Sequence, residues 1–228
     1  MVQSRKKRKD KKKLSASHNK SWIWGRHAVL EILEAGRWPI HELFLSDSLP
    51  ADTLDHAREL AEALNIRIKI DTSERLRELA RTSEHQGYLA KMKPFPYAPF
   101  EALDEILQRD SAALLFAILD QIQDPHNLGA IIRSAEVLGI AAIIIGSTNQ
   151  AEVTPTIARA SAGAVNHIPI IRVDNLSHTV ADLKSKGVTL IAATEKGTPL
   201  DIAVPFEKNN QPPFALILGT EVKSIPSH

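Results

Sequence analysis

The sequence predicts two α/β units in tandem, the second built on a parallel sheet. Three observations carry this. Short strand-like runs alternate with helical-period segments along most of the chain, and three prolines (Pro94, Pro96, Pro99) within six positions split that alternation in two. The strand-like runs after the prolines are unbroken apolar stretches of the kind covered on both faces of a parallel sheet.

In the first part, Ala28, Val29, Ile32 and Leu33 fall at helical spacing within His27–Ala35, and Gly36 closes the segment. Leu43–Leu45 reads as a short strand, Ala51–Leu64 as a helix, Ile66–Ile70 as an alternating strand, Ser73–Arg81 as a helix and Tyr88–Met92 as a strand. In the second part, Ala113–Leu119 and Ala141–Ile145 are the apolar runs; between them Leu128, Ile131, Ile132, Ala135 and Leu138 follow helical spacing up to Gly139, completing a βαβ unit. Thr154 and Pro155 open a further helix, then follow a strand at His167–Val173, a helix at Asn175–Lys186 stopped by Gly187, and strands at Val188–Ala193 and Phe214–Leu218. The expected organisation is an arm at 1–20, a small domain at 21–93, a linker at 94–111 and a doubly wound domain at 112–228, with its ligand site at the carboxyl ends of its strands.

The formal net charge of +1 on 228 residues conceals a division. Residues 1–20 hold nine Lys/Arg, among them Arg5, Lys6, Lys7, Arg8 and Lys9, against the single acid Asp10, a charge of +8; the remaining 19 basic and 26 acidic residues give −7. Such an arm is too repulsive and too poor in apolar residues to pack a core, and it suits a polyanion such as nucleic acid; a solvated tail, an organelle or nuclear address and an acidic protein partner are the other readings. With no cysteine, disulfide scaffolds, zinc ribbons and thiol nucleophiles are excluded, and the nine histidines show no metal-ligand spacing. No apolar run approaches the roughly 18 residues of a membrane span, and the N-terminus is too charged for a secretory signal, so no membrane partner and a cytoplasmic location are expected.

The turn after the first apolar run, Asp120-Gln-Ile-Gln-Asp-Pro-His-Asn-Leu-Gly129, has one glycine and no P-loop lysine, which disfavours an ordinary NAD or ATP site. Its corner, Asp124-Pro125-His126-Asn127, is expected to use Asn127 as a helix cap and to leave amides for a phosphate. On the helix that follows, Leu128, Ile132 and Ala135 form the core side, while Gly129, Arg133 and Glu136 share another flank; either Gly129 clears an approach to Arg133, or Arg133 and Glu136 are a solvated i, i+3 pair. Trp22, Trp24 and Trp38 all fall in the first domain, as core residues or as stacking surfaces.

Leu119–Glu136 as a whole closely resembles the first signature of the SpoU/TrmH family of RNA ribose 2′-O-methyltransferases, within the knotted SPOUT superfamily. Ser161-Ala-Gly-Ala164 with Ile168-Pro169 is similar to the stretch that follows it, Leu216-Ile-Leu-Gly-Thr-Glu221 to the second signature, and Trp24-Gly-Arg-His-Ala-Val29 to the entry of a substrate-binding domain like the kink-turn-binding ribosomal proteins. The resemblance, over roughly residues 22–221, implies methyl transfer from S-adenosylmethionine to a ribose 2′-hydroxyl, most often on a guanosine of 23S-type ribosomal RNA, with a tRNA substrate as the alternative, in a homodimer with a trefoil knot. It implies that Arg133 activates the hydroxyl and that Asn127 orders the loop and orients substrate or Arg133. It also implies that the backbone of Leu218 and Gly219, with Glu221 and Thr194, serves the cofactor, and that Arg5, Lys6, Lys7, Arg8, Lys9 and Arg26 grip RNA. For Gly219 and Leu218 a tight turn, and for Glu221 a solvated residue, are the plain alternatives.

Family members continue past the second signature to an Ile-Pro-Met segment and then Ser-Leu-Asn-Val-Ser, whereas this sequence ends at Ile225-Pro-Ser-His228, with Val222 and Ser224 where the family has glycines. The expectation is therefore a C-terminally truncated member whose knot and dimer interface are incomplete and whose cofactor binding is weak or absent. A catalytically incompetent RNA-binding remnant is the second reading.

Overall fold

The computed structural model describes residues 21–108, 114–193 and 212–219. They fall into two compact units, one holding residues up to 96 together with 153–166, the other holding the rest.

In the first unit β1 (Trp22–Trp24), α1 (Arg26–Ala35), β2 (Ile40–Ser46), α2 (Ala51–Ala63), β3 (Ile68–Asp71), α3 (Ser73–Ala80) and β4 (Tyr88–Met92) follow in order. The sheet order is β1-β4-β2-β3, with β2 parallel to β3 and antiparallel to β4. Strand β2 is longer than its apolar centre suggests, because Glu42 and Ser46 at its ends are ladder-bonded to β4 or β3 despite their polarity. Successive residues of β2 serve opposite faces. Leu43 and Leu45 are wholly buried on one, while Phe44 meets Leu89 of β4 and Leu76 and Ala80 of α3 on the other. Trp38 belongs to the core at 3% exposure, with its Nε1 donating to the Lys93 carbonyl at 2.9 Å; Trp22 and Trp24 are half-buried. The helix α6 (Pro155–Ala160) and the 3-10 turn Ala164–Asn166 pack against β1 and α1, although they lie deep in the second half of the sequence. Gly163, at φ +89°, permits this: a Cβ there would collide with the side chain of Glu31 on α1.

The second unit contains α4 (Ala102–Leu107), β5 (Leu115–Asp120), α5 (Pro125–Val137), β6 (Ala142–Gly146), β7 (Ile170–Val173), α7 (Leu176–Ser185), β8 (Thr189–Ala192) and β9 (Phe214–Gly219). The segment expected to be a plain linker carries α4, whose Leu103 and Ile106 are buried, and Ala98 bridges to Ile171; the prolines end the first unit without preventing the chain from packing straight away on the second. All five strands are parallel in the order β7-β6-β5-β9-β8. From β5 the chain steps towards β7, and from β7 it crosses back to β8, so right-handed crossovers put α5 and α7 on opposite faces. Phe116, Ile118, Ile144, Ile171, Leu183 and Ile217 centre the core on the side of α4 and α7. The expected knot falls largely on residues outside those described.

Candidate functional site

The strand order turns between β5 and β9, and their carboxyl ends lie side by side with Asp120 in register with Gly219. A Cβ on Gly219 would stand 3.2 Å from the Asp120 carbonyl oxygen, so the two strand ends approach more closely than a side chain allows without displacement.

From Asp120 the chain enters a loop held by a residue 28 positions away. The Ile122 N–H donates to Gln150 Oε1 at 2.9 Å, and Gln150 Nε2 donates to the Ile122 carbonyl at 3.0 Å, so the Gln150 amide acts as one rung of a sheet. The Ala151 N–H adds a bond to the same carbonyl at 2.9 Å. The loop ends at Asp124, whose Oδ1 accepts from the His126 and Asn127 N–H groups at 2.7 and 3.0 Å. These two bonds, that from Asn127 foremost, hold the Asp124 carboxyl below its usual range. Pro125, at the first helical position, has no N–H to satisfy.

Asp124 is therefore the cap, not Asn127, and it occupies two of the amides that a phosphate would have needed. Asn127 is exposed in the first turn of α5. Arg133 is exposed six residues later, about 9 Å along the axis and about 120° around it, so Asn127 does not orient Arg133 by contact. Among the described residues Arg133 makes no hydrogen bond or ion pair, and the solvated pair with Glu136 does not form. Gly129 is buried, as are Leu128, Ile132 and Ala135 of the same helix, while Arg133 one turn further on is exposed.

Leu218, half-buried, and Gly219, exposed, end β9 beside Leu119 and Asp120. The structure thus brings together Leu218, Gly219 and the loop into α5, and sets Arg133 further along that helix. Arg26 lies in the other unit as the exposed first residue of α1, its N–H donating to Gln86 Oε1 at 2.9 Å. Thr194, Glu221, Arg5, Lys6, Lys7, Arg8 and Lys9 lie outside the described residues.

At this end of the sheet a cavity of about 910 Å³ is lined by Asp120, Gly146, Asp174, Leu190, Ala192 and Ile217, among others. Its volume is that of a small-molecule site. Two carboxylates and one cation, Lys184, stand beside aliphatic walls, which suits a ligand that joins charged groups to an apolar ring. Asp174 and Gln150 had not been singled out from the sequence. Asp174 directly follows β7 as Asp120 ends β5, each closing a buried apolar run, which is a readable signal; nothing local marks Gln150. Among the described residues no three His, Asp or Glu side chains are placed to hold a metal ion, and no helix is long and apolar enough to cross a membrane.

Comparison with known proteins matches both units. Residues 114–228 fit the SpoU rRNA Methylase family, and residues 22–98 fit the family described as RNA 2'-O ribose methyltransferase substrate binding. The chain is 35% identical to the 23S rRNA (guanosine-2'-O-)-methyltransferase RlmB of Acinetobacter baylyi, over 88% of this chain and 79% of that one. It is 30% identical to the putative TrmH family tRNA/rRNA methyltransferase YacO of Bacillus subtilis, over 92% and 82%. In fold it is similar to the AdoMet-bound rRNA methyltransferase from Sinorhizobium meliloti, with a TM-score of 0.71 at 21% identity over 94% of this chain and 76% of that one. It is also similar in fold to the SpoU methyltransferase AviRb from Streptomyces viridochromogenes, with a TM-score of 0.67 at 23% identity over 89% and 74%. With the substrate-binding and methylase parts both matched in order along one chain, the protein belongs to the SpoU family of RNA 2′-O-ribose methyltransferases.

Proposed function

We propose that this chain methylates a guanosine ribose 2′-hydroxyl of large-subunit ribosomal RNA, using S-adenosylmethionine and acting as a homodimer. The observation that carries this is the placing of Arg133: an exposed guanidinium with no protein partner among the described residues, on a helix whose start is fixed at the β5–β9 crevice. The guanosine and the ribosomal source are supported by the likeness to RlmB.

The residues present fit the cofactor. Asp120 and Asp174 outnumber Lys184 in the lining, a balance favourable to a sulfonium, while Leu190 and Ile217 offer apolar surface to an adenine, and the backbone of Leu218 and Gly219 supplies hydrogen-bonding groups at the strand end. When bound, S-adenosylmethionine supplies an electrophilic methyl group for attack by oxygen. Arg133 is no base, because its guanidinium stays charged. Its planar fork grips the phosphate next to the reacting ribose, and its charge lowers the cost of negative charge on the 2′-oxygen as the proton passes to water. Asp124 and Gln150 act through the backbone, fixing where α5 begins and so where Arg133 stands.

Dimer formation is supported by Val137 and Leu138, which end α5 and are 77% and 72% exposed, an apolar pair that a second copy would cover.

The test is transfer of radiolabelled methyl from S-adenosylmethionine to protein-free 23S-type RNA or to bulk tRNA, with nuclease mapping of the label. Label on a guanosine of the ribosomal RNA is expected; label on tRNA alone would overturn the substrate. RNA binding with no calorimetric signal for S-adenosylmethionine would select the non-catalytic remnant. Arg133→Lys keeps the charge but loses the fork, and is expected to cut transfer about a hundredfold; full activity in that variant would sink the role given to Arg133.

A further inference from the structure

The face of the first sheet on which α3 lies is only partly covered. Alternation and register put Trp24, Leu89, Phe44 and Lys69 in one cross-strand row, and Trp22, Lys91 and Glu42 in the next, with Arg67 just before β3. Leu76 and Ala80 of α3 cover Phe44 and Leu89, leaving the second row at the margin. There Lys91, Lys69 and Arg67 are exposed, while Trp22 is half-buried. The cations are arranged over the rings: Lys91 Nζ lies 5.9 Å from the Trp22 ring centroid, Lys69 Nζ lies 5.4 Å from that of Phe44, and the two rings are 5.6 Å apart. Glu42, only 13% exposed, draws Lys69 to 2.9 Å and Arg67 to 3.9 Å, holding both along the sheet. Three cations against one acid leave this margin at +2, and in sequence the +8 arm runs directly into β1.

We propose that this margin, with Trp22 as its ring and Lys91, Lys69 and Arg67 as its phosphate contacts, is a stacking platform for a single-stranded stretch of the RNA substrate. The proposal rests on the reading above that the substrate is RNA. An aromatic ring flanked by exposed cations, with Lys91 lying over its face, offers a nucleobase a stacking surface without regard to sequence once that lysine swings onto the phosphate. An acidic peptide would use the cations but have no use for the indole. Arg26 and the turn at Gln86 lie apart from this row, at the start of α1.

The test uses the full chain and a fluorescein-labelled dodecauridylate, read by anisotropy at several salt concentrations and by tryptophan fluorescence. The Lys69→Ala/Lys91→Ala variant is expected to bind about fivefold to twentyfold more weakly, and its log–log salt slope to flatten by about 1.4, two released contacts at about 0.7 each for single strands. Trp22→Phe keeps an apolar ring and is expected to lose most of the RNA-induced quenching, with unchanged circular dichroism. Unchanged affinity and slope in the double variant, no quenching in the parent, or displacement of the RNA by equal-charge polyglutamate at equal concentration would each overturn the platform. If the parent methylates ribosomal RNA while the double variant binds as the parent does, the platform fails and the methyltransferase reading stands. If the double variant loses binding while the parent transfers methyl to no RNA, the platform stands and that reading fails.

Discussion

Replacing Gln150 by alanine tests whether the loop before α5 is held from a distance. The substitution removes the Ile122 N–H to Oε1 bond and the Nε2 to Ile122 carbonyl bond, while the carbonyl keeps the Ala151 N–H. At about 0.5–1.5 kcal/mol for each hydrogen bond, the loss is about 1–3 kcal/mol. For a chain of this size that lowers the melting temperature by about 3–9 °C. Activity is expected to suffer more than stability suggests, because the released loop sets the start of the helix carrying Arg133, and small displacements of a reacting group cost about tenfold to a hundredfold in kcat/KM. Gln150→Glu retains the acceptor for the Ile122 N–H but turns a second oxygen on the Ile122 carbonyl, so it should be at least as damaging. Calorimetric melting together with methyl-transfer kinetics reads both effects. If Gln150→Ala melts and turns over like the parent, the loop is held by something else and the argument for the clamp fails.

Gly219→Ala puts a methyl group 3.2 Å from the Asp120 carbonyl oxygen and is expected to weaken S-adenosylmethionine binding with little change in RNA affinity; equal calorimetric affinity for the cofactor would show that the strand ends accommodate it. His85 is buried, and its Nδ1 accepts the Gly87 N–H at 3.1 Å, so it must be neutral there; burial and then the Arg77 charge push its pKa below 6.5. The folded chain then binds fewer protons than the unfolded one, and stability that is full above pH 6.5 is lost as pH falls through the lower folded value. Urea unfolding at pH 7.5 and 5.5 should show that loss in the parent and a smaller one in His85→Asn, which keeps the acceptor without titrating; the same pH dependence in both would refute it. Leu138→Glu is expected to shift the sedimenting species towards monomer, and a dimer of unchanged strength would place the interface elsewhere.

Local signals in the sequence reach as far as local physics does. The unbroken apolar runs marked β5 and β6, Gly139 marked the end of the α5 segment, and the period of Leu128, Ile132 and Ala135 gave its buried stripe, because each is a local pattern of the chain. The same reasoning placed the helix cap at Asn127 when it is Asp124; Pro125 at the first helical position is the clue that decides between them. It left open whether Gly129 clears an approach to Arg133, since spacing alone does not tell a flank that faces solvent from one closed by packing.

What the sequence by itself determined is the class of protein: two α/β units, a basic arm, and a signature, Leu119 to Glu136, specific enough to point to a family. What only the tertiary structure decided are relations between residues far apart in the chain. Gln150 completes the hydrogen bonding of Ile122, Gly219 meets Asp120 at the crevice, and Gly163 lets a segment from the second half pack onto α1 of the first unit. Each depends on distances that close only when the sheets have formed, and no periodicity in the sequence records them.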